Sequence, residues 1–212
     1  MTDWATVASF ATAAGTLVLA VATYSSVRSA NRSARIAERS FLIGLRPSLA
    51  PSRLEDPPER IMFADRHWVT LKGGRAAVEF SEGVIYFAML VRNVGNGMAV
   101  IESWLPIAGQ KTSADEWGAI DDFRPQTRSL WIAPGDVAFW QGAMRDPAEE
   151  SFDSIRQAVA DGAVTIDVLY RDREGGQRTM SRFSLIRREG EGDDEGCDWW
   201  VSLGMHHELD RD

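Results

Sequence analysis

Between Asp3 and Arg28 the chain runs for 24 residues without a charge. As a helix rising about 1.5 Å per residue, that run spans roughly 36 Å, enough for a hydrocarbon core of about 30 Å with some tilt. Thr6, Ser9, Thr12, Thr16 and Thr23 interrupt the apolar pattern. Hydroxyls that bond a carbonyl one turn back are tolerated in a membrane helix, so a transmembrane anchor over 1–27 is expected. The alternatives are a soluble helix buried on every face and a cleaved signal peptide ending near Ala20-Val21-Ala22. A signal peptide places its basic residues before the apolar run, whereas here they follow it.

No Gly or Pro interrupts the pattern from Gly15 until Gly44 and Pro47, which predicts one continuous helix over 4–45 with Pro47 as its stop. Residues 28–46 form its basic juxtamembrane part. Arg28, Arg32, Arg35 and Arg39 recur four, three and four residues apart on one face, and Ala30, Ala34, Ala37 and Phe41 recur in the same way on another. The arginines are candidate ligands for anionic lipid headgroups, each contributing about 1 kcal/mol close to the surface. They serve equally as a topology signal with solvated side chains. In either role they keep the following domain cytoplasmic and the N-terminus outside. Small residues four apart, Ala5 with Ser9 and Ala11 with Gly15, allow two such helices to approach closely, so a homo-oligomer through the transmembrane helix is a candidate partnership.

From Leu49 onward, short runs rich in β-branched and aromatic residues alternate with Gly, Pro, Asp and Asn. This predicts strands over 49–53, 60–64, 67–71, 76–80, 84–93, 98–105, 129–133, 136–142, 164–171, 177–186 and 197–205. The alternation of Val164, Ile166, Val168 and Tyr170 with residues such as Asp167 predicts one buried and one wet face. Arg173-Glu174-Gly175-Gly176 closes a hairpin. One helix is expected from Asp146-Pro147 to residue 160, with Phe152, Ile155 and Val159 at core spacing.

Within the domain, the run 91–100 (Val-Arg-Asn-Val-Gly-Asn-Gly-Met-Ala-Val), then Pro134-Gly135-Asp136, then Tyr170-Arg171-Asp172 before a Gly turn, resembles uncharacterised bacterial membrane-anchored proteins with an immunoglobulin-like β-sandwich domain. The resemblance covers most of residues 47–186. It implies a mainly β fold, an N-terminal transmembrane helix continuing into an amphipathic helix and then an immunoglobulin-like antiparallel β-sandwich over 47–212 with one short helix. Its motifs specify turns. Gly95 and Gly97 are expected to supply positive-φ geometry and close backbone approach, with Asn93, Gly135 and Asp172 as turn formers. A ligand loop at the 93–97 corner is the alternative.

The net charge of −8 is unevenly placed. Five arginines against Glu38 give +4 for residues 28–46, and with Asp3 set aside −11 is left for residues 47–212. Phosphate backbones repel such a domain, so no nucleic acid partner is expected. Arg far exceeds Lys and Ala is frequent, as in GC-rich bacterial genomes. A lone Cys197 excludes an intramolecular disulfide. His206-His207-Glu208 is the best metal candidate, yet neighbours in a strand point to opposite faces, so no metal and no cofactor is expected. The acidic stretch from Glu189 to Glu195 lacks the spacing of a calcium loop. No nucleophile elbow or phosphate-binding glycine loop occurs, so no catalytic residue is assigned. Trp199-Trp200 must straddle a strand, and whichever indole faces out is a candidate partner surface. These readings describe a non-catalytic binding or scaffolding module tethered to the cytoplasmic face of a bacterial inner membrane. The competing class is a small-ligand or metal-dependent enzyme or sensor using a pocket of the sandwich.

Overall fold

The structure, a computed structural model, describes residues 3–113, 117–188 and 199–209. The chain divides into two units, Met1–Gly44 and Leu45–Asp212. The first is a single helix, α1 (Trp4–Gly44), that passes from the uncharged segment into the arginine collar without a break. None of its described side chains is buried, and Phe10, Leu17 and Tyr24 are each about two-thirds exposed or more. Two hydroxyls of the apolar stretch are satisfied within the helix: Thr12 Oγ1 donates to the Ala8 carbonyl and Thr16 Oγ1 to the Thr12 carbonyl, both at 2.9 Å. This is the only way a lone helix can carry such groups into lipid at small cost.

The second unit is mainly β. Its strands are β1 (Leu49–Pro51), β2 (Glu59–Met62), β3 (Trp68–Leu71), β4 (Arg75–Ser81), β5 (Val84–Asn93), β6 (Ala99–Ala108), β7 (Arg124–Ile132) and β8 (Val137–Met144). After the short helix α2 (Phe152–Asp161) come β9 (Ala163–Arg171), β10 (Arg178–Arg187) and β11 (Trp199–Glu208). Nine strands form one antiparallel sheet in the order β1-β5-β4-β11-β10-β9-β6-β7, with β8 on the other side of β5. Where the sequence leads one to expect a sandwich of two sheets, the hydrogen-bonded ladder is continuous, because β11 bridges the halves through Trp199 opposite Ala76 and Trp200 opposite Arg75. The sheet curls into a half-barrel. Its two ends meet through a side chain, Gln126 Nε2 of β7 donating to the Gln141 carbonyl of β8 at 3.1 Å.

The concave face holds the main core, in which Phe87, Trp104 and Trp140 pack edge to face and α2 contributes Phe152, Ile155 and Val159. Trp104 lies against Gly142, where a Cβ would collide with the indole. The convex face is covered as well. The β2–β3 hairpin lays Ile61, Phe63, Val69 and Leu71 over Ala77, Tyr86, Ala88 and Leu90. On the other half, Phe123, Leu169 and Met180 form a small cluster with Leu105, Trp117 and Leu209 against it. Burying each such side chain contributes about 1.5–3 kcal/mol.

Two expectations are corrected here. The face of β9 carrying Asp167 is not wet: Thr165, Asp167 and Leu169 are all buried, because the connection from β6 to β7 covers them. Lys111 N–H donates to Thr165 Oγ1 at 3.0 Å, and Thr165 Oγ1 donates to the Gly109 carbonyl at 2.8 Å. The helix expected from residue 146 starts at Phe152, since Asp146 instead closes a turn by accepting the Ala148 N–H at 2.9 Å.

Candidate functional site

Among the described residues, four groups of side chains in the second unit bring buried or partly buried polar groups together. The first is the corner after β5. Asn93 is fully buried and spends all its hydrogen-bonding capacity on backbone: Oδ1 accepts from Ser48 N–H (3.2 Å) and Gly95 N–H (3.1 Å), while Nδ2 donates to the Gly97 (2.7 Å) and Ile132 (3.0 Å) carbonyls. Gly95 and Gly97 do not adopt positive φ, contrary to the expectation. They are glycines because 45–48 runs against them: a Cβ on Gly97 would overlap the Leu45 carbonyl, and one on Gly95 the Arg46 carbonyl and the Ser48 amide. Gly135 does take positive φ, at 81°. Arg92 ties its carbonyl (3.1 Å) to the Asp56 carboxylate (2.6 Å). Asp172 closes its turn by accepting from Gly176 N–H at 2.8 Å. These residues build the scaffold, and at the corner itself Val94 and Asn96 stay exposed.

The second group is the Asp167–Arg182 pair between β9 and β10. It is bidentate, with Nε to Oδ1 at 2.8 Å and Nη2 to Oδ2 at 2.7 Å, and both side chains are fully buried. Arg182 Nη1 also donates to the Ser113 carbonyl at 2.9 Å, and its guanidinium lies 4.4 Å from the centre of the Trp117 ring, which in turn stacks on His207. Burial pushes the Asp167 carboxyl up, against the opposing pull of Arg182.

The third group lies beneath the β2–β3 hairpin. Tyr86 donates to Asp65 Oδ2 at 2.8 Å, Arg145 reaches the same oxygen at 3.2 Å, and His67 stacks on Tyr86 while its Nε2 sits 2.8 Å from Glu79 Oε2. Burial, followed by the Asp65 carboxylate, pushes the Tyr86 phenol up to about 12. Burial acts to raise Asp65, but the bonds from Tyr86 and the His67 amide, with Arg145, hold it below its ordinary value. The fourth is a polar chain in which Tyr170 Oη, Ser181 Oγ and His206 Nδ1 lie 2.8 and 2.7 Å apart in sequence. A serine bonded to a histidine has the form of an activated nucleophile. Ser181 is fully buried, so its hydroxyl meets no substrate in this conformation.

Among the described residues, no three His, Cys, Asp or Glu side chains converge as a metal set would. His206 and His207 diverge, one toward Ser181 and the other onto Trp117, and His67 stands apart on the hairpin. The acidic stretch 189–195 and Cys197 lie outside the described residues. The tryptophan pair separates. Trp199 is 4% exposed and belongs to the core, which corrects its nomination as a partner surface. Trp200 lies on the opposite face, with the Arg75 guanidinium 3.1 Å and the Arg188 guanidinium 4.8 Å from its ring centre. Sequence reasoning missed both arginines, because only the two-residue pairing of β4 with β11 brings 75 beside 200. Arg28, Arg32 and Arg35 are exposed on α1, and Arg39 lies on the same helix.

The chain matches no family model and no curated protein.

Proposed function

We propose that the chain is a membrane-tethered, non-catalytic binding or scaffolding module at the cytoplasmic face of a bacterial inner membrane, operating as a subunit of a larger complex. The observation that carries the proposal is α1. It is long and apolar enough to cross a membrane, and nothing in its apolar stretch is buried. A bare helix of this kind is stable only in lipid or against another helix. The arginines that follow the uncharged run favour a cytoplasmic domain and contact with anionic headgroups.

Two further features support the reading. Ala13, Thr16, Ala20, Thr23, Val27 and Ala30 recur at alternating steps of three and four, with Arg28, Arg32 and Arg35 off that seam, which suits close pairing with a second copy. In the second unit, β5 pairs with β8 while β6, β9 and β10 are neighbours, and Trp104 of β6 is buried in the core. These pairings are in keeping with the immunoglobulin-like arrangement proposed for the domain, although β11 joins its halves into one sheet. Trp200 with Arg75 and Arg188 is the surface proposed for the partner, since two guanidiniums over one indole suit an acidic segment.

Affinity purification of the full chain in mild detergent tests this. A partner should co-purify with the wild type and be lost from a Trp200→Ala, Arg75→Ala variant that keeps its fold. A chain that leaves the membrane fraction in an alkaline carbonate wash would overturn the tether.

A further inference from the structure

The polar chain ending at His206 has only one complete arrangement of its protons. Leu49 N–H donates to Tyr170 Oη at 3.1 Å, and Tyr170 and Ser181 are both fully buried. For each hydroxyl proton to find an acceptor within the chain, Tyr170 donates to Ser181 and Ser181 donates to His206 Nδ1. The imidazole is then neutral, with its proton on Nε2. A protonated imidazole carries hydrogen on both nitrogens. Nδ1–H then donates to Ser181, Ser181 turns its proton toward Tyr170, and the phenol, already receiving the Leu49 amide, is left with a buried proton and no acceptor in the chain.

The surroundings of His206 do not cancel this effect. From β11, Glu208 lies two residues on along the same face, and from the segment before β1, Arg46 pairs with Glu208 at 2.8 Å. From β9 and β10, the facing residues Tyr170, Thr179 and Ser181 are uncharged, and β1 offers Leu49. Asp167 and Arg182 lie on the opposite face of the sheet. His206 is exposed on its outer side, and desolvation of the side packed against Ser181 holds its pKa below its ordinary value, with Glu208 opposing it only in part.

We propose that His206 is a proton switch for the seat of β1: neutral, it completes the hydrogen-bonded chain that fixes the Leu49 amide, and protonated, it reverses that chain, strands the Tyr170 proton beside the Leu49 amide and so loosens the strand by which the domain joins the preceding helix. The switch stands whether or not Trp200 engages a partner.

Amide exchange at Leu49, measured on the full chain in nanodiscs between about pH 8 and pH 5 and corrected for intrinsic rate, tests the switch. One orphaned buried hydroxyl costs about 1–3 kcal/mol, so protection should fall roughly tenfold or more across that range. His206→Gln, whose amide oxygen accepts from Ser181 and does not titrate, should keep protection at all pH values. His207→Gln should behave as the wild type. Ser181→Ala, which removes the middle of the chain, should show low protection at every pH. Wild-type protection that stays constant, or a fall that survives in His206→Gln or in Ser181→Ala, would overturn the proposal.

Discussion

Asp167 and Arg182 face each other across β9 and β10 with two parallel hydrogen bonds, and neither has any solvent exposure. Both ions are held where desolvation costs several kcal/mol apiece, so each depends on the other. Asp167→Leu or Arg182→Met alone should lower stability by about 3–5 kcal/mol. The double replacement Asp167→Leu with Arg182→Met should recover most of that loss. Denaturant midpoints of the four proteins check it; additive losses would show that the pair does not act as a unit.

Asn93 is the second sensitive position. Asn93→Asp replaces the Nδ2 donor with an oxygen facing the Gly97 and Ile132 carbonyls. A loss of at least about 3 kcal/mol is expected, since one buried orphan costs about 1–3 kcal/mol and this change turns two bonds into repulsions. Asn93→Ala should cost less than Asn93→Asp. Thermal unfolding of both variants gives the order.

Tyr86 predicts an alkaline effect. Its phenol, raised to about 12 from 10.0, keeps its proton more firmly folded than unfolded. The stability it contributes is therefore complete below about pH 10 and is lost as pH rises through about 12. Phenolate absorbance should show one tyrosine titrating late, and Asp65→Asn should bring that titration to lower pH. A Tyr86 that ionises near 10 in the folded protein would contradict the Asp65 contact.

The proposed orientation rests on the arginine collar. Replacing Arg28, Arg32 and Arg35 with Gln should reduce the fraction of chains whose C-terminus stays cytoplasmic, and it should weaken any salt-dependent attachment to anionic vesicles. A reporter active only in the periplasm, fused to the C-terminus, reads the first effect. Bright signal from the wild-type fusion would reverse the assigned topology.

The strands were legible because β-branched and aromatic runs bounded by Gly and Pro are local signals, and each predicted run from 49–53 to 197–205 overlaps a strand of the structure. The residues at 124–128 were missed, since Arg124-Pro125-Gln126 carries no strand signature and pairs with β6 only across a register shift. The second buried face of β9 was illegible for another reason. Asp167 reads as polar until Arg182 is known to lie opposite, and the cover over them comes from a connection without periodicity. The glycines of the corner signalled a tight turn, yet what demands them is the approach of 45–48, which no local pattern encodes. Trp199 and Trp200 were separable as a pair but not assignable to faces until β4 was placed beside β11.

The close fit of 45–48 against Gly95 and Gly97 has a mechanical side. Any tension applied along α1 enters the second unit by way of Leu45, and the three residue pairs of β1 with β5 are a short grip against shear. Before those pairs bear load, the pull reaches Ser48, which is bolted to Asn93 by its amide and to Val94 by its carbonyl at 2.7 Å. The corner therefore works as a strain relief, taking force at a buried asparagine so that the three-residue strand behind it is spared.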